Sequence, residues 1–358
     1  MANMKEIAQI AGVSLGTVSH VLNGTAKVRD PLRKRVLDAV QAAGYQPSQL
    51  ARGLRRDKTN IIAMIIPDIV NPFFPGVVRG AEDVAFSNGY RLVLCNTDND
   101  HAKELVHLNA LQTYLPSGLI VIPSNFSDLT VQAASYRTAG SAVVCVDRLP
   151  RDWNGDSVTI DNVEGAYHAT SYLIELGHRH LAAITGPLHL TNAEERLRGF
   201  KLALGDAGLE AAPGYLQETT FDRAGGYAKT KILLRMLPRP TAILACNDMM
   251  AMGALLAIRE ANLRCPEDVS LIGFDGLDLT EVTTPQLSSV YQSPYQLGAT
   301  AAQLVLDRVA DQACPVRQVV LKTELKIRES VAPPVETAKP MTRPSLKNPR
   351  KRAVAASR

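Results

Sequence analysis

A chain of 358 residues, 46% of them apolar, is long enough for two or three domains with cores of their own. It carries no N-terminal apolar run of signal-peptide type and no stretch of eighteen apolar residues, so we expect a soluble, cytoplasmic protein and exclude a membrane-spanning one. The net charge of +4 hides an asymmetry: residues 1–60 hold ten Lys/Arg against four Asp/Glu, residues 332–358 seven against one, and the middle is acidic. Basic ends on an acidic body point to a polyanion partner at the ends. The five cysteines (Cys95, Cys145, Cys246, Cys265, Cys314) lack CxxC spacing and fall mostly in apolar runs. They read as buried thiols of a reducing compartment, with no structural metal site.

In chain order, Met4–Ala11 has Ile7, Ala8 and Ala11 on one helical face, and Gly12 suits the positive φ of a tight turn. Ser14 is placed to cap a second helix, Leu15–Leu22, whose Val18 and Val21 turn back toward the first. Two short helices joined by a glycine turn make a helix-turn-helix. A third helix is expected with Asp30 as its cap, Pro31 in its first turn, Leu32, Val36 and Val40 inside, and Gly44 at its end. In the DNA-reading use of this motif the second helix enters the major groove. Leu15, Gly16 and His20 then face base edges: Leu15 toward a thymine methyl, His20 toward a purine edge, Gly16 permitting close approach. Thr17, Ser19 and Asn23 are of the type that contacts phosphates.

The next segment, YQPSQLARGLRRDKT (45–59), breaks at Pro47 and carries Leu50, Ala51 and Leu54 beside Arg52, Arg55 and Arg56. An apolar side chain flanked by cations is the arrangement of a minor-groove wedge. VSLGTVSHVLNG followed by YQPSQLARGLR resembles the head and hinge helix of the lactose-repressor (LacI-type) family of bacterial regulators, and the resemblance extends over residues 4–330. It implies that two subunits pair their hinge helices in the minor groove, with Leu54 as the wedge and Arg52 and Arg55 beside it.

From Ile61 onward, β-rich runs alternate with helical stretches: 61–67, 90–95, 118–123, 141–147, 180–186, 241–247 and 269–275. This alternation predicts βαβ units and parallel sheets. A break near Asp161-Asn162 divides them into two doubly wound halves. Ligands of such sheets bind beyond the carboxyl ends of the strands. That rule selects Asp68 and Asn71, Asp147 and Arg148, Asn247 and Asp248, and Asp275. For any one of these a helix cap or turn is the commoner use; together they form a polar crevice suited to sugar hydroxyls.

The body also resembles the periplasmic ribose-binding proteins. Asn71, Phe73 and Phe74 match their NPFF motif, Asp147-Arg148 their Asp-Arg pair, Arg196 the arginine of ERxxGF, and Phe221 the phenylalanine of FDR. Asn247, Asp275 and the hinge residue Gln292 complete the set. The resemblance implies a monosaccharide effector, ribose or a related pentose. A hexose or purine-responsive regulator of the same family stays open, as does a sugar transport receptor.

We therefore expect an all-α helix-turn-helix head (1–46), a hinge (47–59) and an α/β body (60–331) of two doubly wound parallel-sheet subdomains. The first subdomain takes about 60–161 and 293–325, the second about 162–292 with the end of the body. The proline-rich basic tail, 332–358, is expected to be disordered and has no leucine heptads, which favours a homodimer over a tetramer. No catalytic motif is recognisable and no cofactor is expected. The implied partners are a palindromic double-stranded operator and a small sugar, with no membrane.

Overall fold

The computed structural model describes residues 3–23, 26–44, 59–124 and 129–335. Helices α1 (Met4–Ala11), α2 (Leu15–Asn23) and α3 (Asp30–Ala42) form the head. Asn3 caps α1 by accepting from the amides of Lys5 and Glu6 at 2.9 and 3.0 Å, and Glu6 answers from the third position, a reciprocal capping box. Gly12 ends α1 at φ 60°, and Ser14 Oγ accepts from Thr17 N at 3.1 Å to start α2. The small core joins Ile7, Ala8 and Ala11 of α1 to Val18 of α2 and to Val36 and Ala39 of α3. One detail differs from expectation: Asp30 is the first residue of α3 instead of its cap. Arg29 holds the cap position without a side-chain bond, because Pro31 at the second helical position already supplies the fixed φ of a helix start.

The body contains two six-stranded sheets. The first is built from β1 (Ile61–Ile66), β2 (Arg91–Asn96), β3 (Gly118–Val121), β4 (Ala142–Val146), β5 (Asp156–Ile160) and β11 (Gln318–Leu321), in the order β11-β5-β4-β3-β1-β2. The second has β6 (Leu181–Thr185), β7 (Leu216–Glu218), β8 (Ala242–Ala245), β9 (Ser270–Asp275), β10 (Ser288–Tyr291) and β12 (Glu324–Lys326), in the order β12-β10-β9-β8-β6-β7. In β1, Ile62, Met64 and Ile66 enter the core on one face and Ala63 and Ile65 that on the other. Helices cover both faces, so these strands read as continuous apolar runs with no polar alternation.

Helices α4 (Phe73–Ser87), α5 (His101–Gln112) and α6 (Leu129–Thr138) belong to the first sheet, joined by α11 (Pro294–Ala310), which packs along α4. Helices α7 (Asn162–Glu175), α8 (Thr191–Asp206), α9 (Arg223–Leu233) and α10 (Asp248–Glu260) belong to the second, α7 pairing with α8 and α9 with α10. The chain passes between the sheets three times: after Ile160, after Tyr291 and after Leu321. Asn162 and Gln292 therefore lie on crossings. Below, the two halves are called the first and second lobes.

All seven β-rich runs form strands, but five further strands (β5, β7, β10, β11, β12) are short or polar. The second sheet is also not wholly parallel, since β12 pairs antiparallel with β10. It lies just after β11 of the other sheet, and the intervening turn is too short for a crossover helix. Two cysteines, Cys145 and Cys246, are buried; the other three are half-buried, and all five are free thiols. The tail begins later than expected: Ala332 O accepts from His178 Nε2 at 2.9 Å and Ser270 Oγ at 3.0 Å, which ties this residue to the second lobe. No described helix is long and apolar enough to cross a membrane. Among the described residues no acidic, His or Cys cluster could hold a metal ion.

Candidate functional site

A cavity of about 330 Å³ opens between the carboxyl ends of the two sheets. Nine of the ten residues expected at a ligand line it: Asn71, Phe73, Phe74, Asp147 and Arg148 from the first lobe, Arg196, Phe221, Asn247 and Asp275 from the second. The tenth, Gln292, does not. It is fully buried behind Asp275, to whose Oδ1 it donates from Nε2 at 2.7 Å.

The cap-or-turn reading and the cavity reading coincide at Asp68, Asn71 and Asn247. Asn71 Oδ1 accepts from Phe73 N at 3.1 Å, closing a turn just before α4, whose cap position is held by Pro72. Asn247 Oδ1 caps α10 through Met250 N at 2.8 Å, while its amide donates to Phe221 O at 3.1 Å and so fixes the FDR segment. Phe73 and Phe74 meet edge to face, centroids 5.2 Å apart. Opposite them, Phe221 lies across Gly186, where any side chain would overlap its ring. The glycine after β6 is what admits the aromatic wall.

The charged floor comes from the ends of β4 and β9 and from helix α8, which carries Arg196. Asp147, with φ 66°, follows β4; its Oδ2 accepts from Asn192 Nδ2 of the second lobe at 3.1 Å, and its Oδ1 has no partner. Arg148 donates from Nη2 to Asn99 Oδ1 at 3.3 Å, leaving Nε and Nη1 buried without partners. Arg196 is held on three sides. Nε donates to Asn162 Oδ1 at 2.8 Å, Nη1 to Cys246 O at 2.6 Å, and the guanidinium carbon lies 3.8 Å from the Phe274 ring centroid. Its ion pair with Asp275 is long, 3.5 Å.

Burial dominates the electrostatics. It pushes the Asp275 carboxyl up to about 7, against the opposing pull of Arg196 and the Gln292 hydrogen bond. Burial likewise raises Asp147, opposed by Arg196 and Arg148, and lowers Arg148, opposed by Asp147 and Glu104. Two carboxyls facing two guanidiniums, with unpartnered acceptors and donors among them, form a site for a ligand that both gives and takes hydrogen bonds.

Asp68 also lines the cavity, as the strand-end rule indicated, with its Oδ1 accepting from Val70 N at 2.8 Å. Asp248, which the same rule paired with Asn247, does not line it. Five lining residues escaped the sequence reading: Asp98, Asn99, Asn192, Thr220 and Asp222. Asp98 and Asn99, after β2, follow the same rule; both have positive φ, 55° and 56°. Asp222 caps α9 through Gly225 N.

On the head, Leu15 is 40% exposed, Gly16 and His20 are exposed, and all three belong to α2. Thr17 is half-buried with its hydroxyl 2.9 Å from Ser14 Oγ, and Ser19 is half-buried. The Asn23 side chain and the hinge residues Arg52, Leu54 and Arg55 lie outside the described residues.

Comparison with known proteins follows this division. Residues 3–48 match the family model described as bacterial regulatory proteins, lacI family, and residues 170–331 match a periplasmic binding protein-like domain. The HTH-type transcriptional repressor PurR of Aliivibrio fischeri is 36% identical over 338 residues, covering 92% of this chain and 98% of the relative. A LacI family transcriptional regulator from Enterococcus faecium, solved with bound ribose, is 31% identical, covers 76% of this chain and 99% of its own, and has a TM-score of 0.69. The lac repressor dimer bound to operator and the anti-inducer ONPF, 24% identical with a TM-score of 0.82 over 92% of this chain and 99% of its own, shares the fold. The chain belongs to the lacI family of bacterial regulatory proteins, a DNA-binding head joined to a periplasmic-binding-protein-like body.

Proposed function

We propose that this regulator is a homodimeric, non-catalytic transcriptional repressor of the cytoplasm whose operator affinity is lowered by a small monosaccharide, a ribose-like pentose in the first instance. The unpartnered buried atoms of Asp147 and Arg148 carry this reading. Sugar hydroxyls donate and accept at once, so a polyol can satisfy a carboxylate oxygen and guanidinium N–H groups side by side. Phe73, Phe74 and Phe221 supply apolar walls for the C–H faces of the ring. The likeness to the ribose-bound Enterococcus faecium regulator supports the same choice. The second reading, a purine effector, is favoured by the likeness to repressors named PurR. Against it, a flat heterocycle presents its donors and acceptors only in the plane of its ring, whereas the hydroxyls of a sugar project to several sides, as a floor of two carboxyls and two guanidiniums calls for.

In this reading α2 lies in the major groove, with Leu15, Gly16 and His20 at base edges and Thr17, Ser19 and Asn23 at phosphates. Leu54 of each hinge, flanked by Arg52 and Arg55, wedges the centre of a palindrome. Two subunits meet through apolar surface at the first lobe's edge strand β2, where Val93 and Leu94 are exposed beside Ile69 and Val70. Ile69 N donates to Asn96 Oδ1 at 2.8 Å and so holds that pair at the strand's end. The effector, bound by both lobes, favours one lobe arrangement. A hinge helix of under about 12 residues is marginal without packing, so separating the subunits' hinges melts them. Coupling of this kind is worth about 1–3 kcal/mol. The units are the head (1–46), hinge (47–59), body (60–331) and basic tail, the last adding sequence-independent attraction to DNA.

The test is operator binding by the full chain, on DNA selected by the protein from random sequence, with and without ribose. Ribose lowers the affinity about 5–150-fold if the reading holds. An unchanged affinity with ribose and a changed one with hypoxanthine would replace the sugar by a purine. Leu54→Ala weakens operator binding and leaves effector affinity intact.

A further inference from the structure

Asn247 and Asp248 are chain neighbours with opposite placements. Asn247 lines the cavity; Asp248, the first residue of α10, is fully buried and does not. No part of the effector reading uses Asp248, yet a buried carboxyl is costly unless its oxygens find donors. They do. Oδ2 accepts from the backbone amide of Leu277 at 2.7 Å, and Oδ1 from the Ser289 hydroxyl at 2.6 Å. Ser289 Oγ in turn accepts from Gly276 N at 3.1 Å. One carboxyl and one hydroxyl thus hold the two amides that follow Asp275.

The backbone at that point needs holding. Asp275 has φ 112° and Gly276 φ 69°. A residue with a side chain keeps such a φ only where its surroundings over-determine it. The same strand is shaped to this end, since a side chain at Gly273, two residues before Asp275 in β9, would overlap Asp248 Oδ1. At Gly276 a Cβ would fall 2.6 Å from the Tyr291 Cα.

We infer that Asp248, acting with Ser289, is a positioning residue for the effector: it clamps the 275–277 turn and thereby aims the Asp275 carboxyl into the cavity between Arg196 and Gln292. The inference rests on the reading of Asp275 as an effector contact. It is distinct from that reading, because neither Asp248 nor Ser289 lines the cavity.

The experiment measures ribose affinity of the full chain by calorimetry for Ser289→Ala and Asp248→Asn, each alone and in an Asp275→Asn background. Each single substitution weakens ribose at least tenfold, with a cooperative melting transition retained. In the Asp275→Asn background the same substitutions change affinity less than twofold, since no carboxylate remains to be aimed. Additive losses in both backgrounds would overturn the inference and leave Asp248 a merely structural residue. Asp275→Asn binding ribose like the unmodified chain would overturn the assignment of Asp275 itself, and the inference with it. A ligand-free crystal structure of Ser289→Ala decides the point without any effector: the 275–277 turn relaxes and Asp275 leaves its φ near 112°, whereas an unmoved turn contradicts the clamp.

Discussion

The side-chain amide of Asn192, in the first turn of α8, donates to Asp147 Oδ2 across the cleft between the lobes at 3.1 Å. Two further bonds span the same seam, Leu149 N to Thr191 Oγ1 at 3.1 Å and Arg151 to Glu194 at 2.8 Å. The Arg151–Glu194 pair is exposed and worth little. The Asn192 bond is buried and reaches a charged group, so it matters more.

Asn192→Ala therefore weakens effector binding by about 1.5–3 kcal/mol, a tenfold loss or more. Calorimetry on the full chain reads this loss, and Arg151→Ala is the control expected to change affinity by under about 1 kcal/mol. Equal effects from the two would contradict the weight given to burial.

Stability should fall with rising pH through the range where Asp275 titrates. Its folded pKa is raised by burial to about 7, above an unfolded value of about 3.9. The folded chain thus holds the proton more tightly than the unfolded one. This stabilising contribution is complete below about pH 4, is lost as pH rises to about 7, and then stays lost. Burial raises Asp147 and Asp248 in the same sense. Melting curves of the effector-free chain across this range should show the decline, and Asp275→Asn should flatten part of it. A pH dependence identical in that variant would contradict the assignment.

On the head, a Cβ at Gly16 would meet nothing closer than Ser14 Oγ at 3.7 Å. Gly16→Ala is predicted to be neutral or mildly stabilising for the fold while weakening operator binding, because in the proposed docking the added methyl stands where α2 would meet the groove. His20→Ala should cost about 1–3 kcal/mol at one base pair of the half-site and little elsewhere. Binding assays on a panel of single-base operator variants separate the two effects.

The packing of α4 along α11 depends on close backbone approach. A side chain at Gly298 would overlap Val77 O, and one at Gly80 would overlap Tyr295 O. Gly298→Ala is expected to destabilise the body by about 1–3 kcal/mol, lowering its melting temperature by about 2–4 °C per kcal/mol. Gly205→Ala, in the exposed last turn of α8 with nothing within 4 Å of the added atom, should be neutral or stabilising.

Much of this was legible because two-sided burial writes long apolar runs, as in β1 and β4, and because the end of such a run marks where a ligand can sit. That logic located Asp147 and Asp275 before any contact was known. It lost β5, β7, β10, β11 and β12. β7 and β11 are edge-proximal or edge strands with polar residues, and β10 carries Ser288 and Ser289, buried because they bond Arg328 N and Asp248. Asn192 was invisible for a different reason. Its partner lies 45 residues away in the other lobe, and TNAE at a helix start reads as an ordinary first turn. Gln292 was assigned by resemblance alone, and its place behind Asp275 follows from the second crossing between the sheets, which no local pattern announces.

The central claim, that the cleft takes a monosaccharide and not a purine, is tested most directly by calorimetric titration of the full chain with ribose and, in parallel, with hypoxanthine. Saturable one-to-one binding of ribose, abolished by Asp147→Ala and with no heat from hypoxanthine, is the predicted result. Tight binding of hypoxanthine with none of ribose would contradict it.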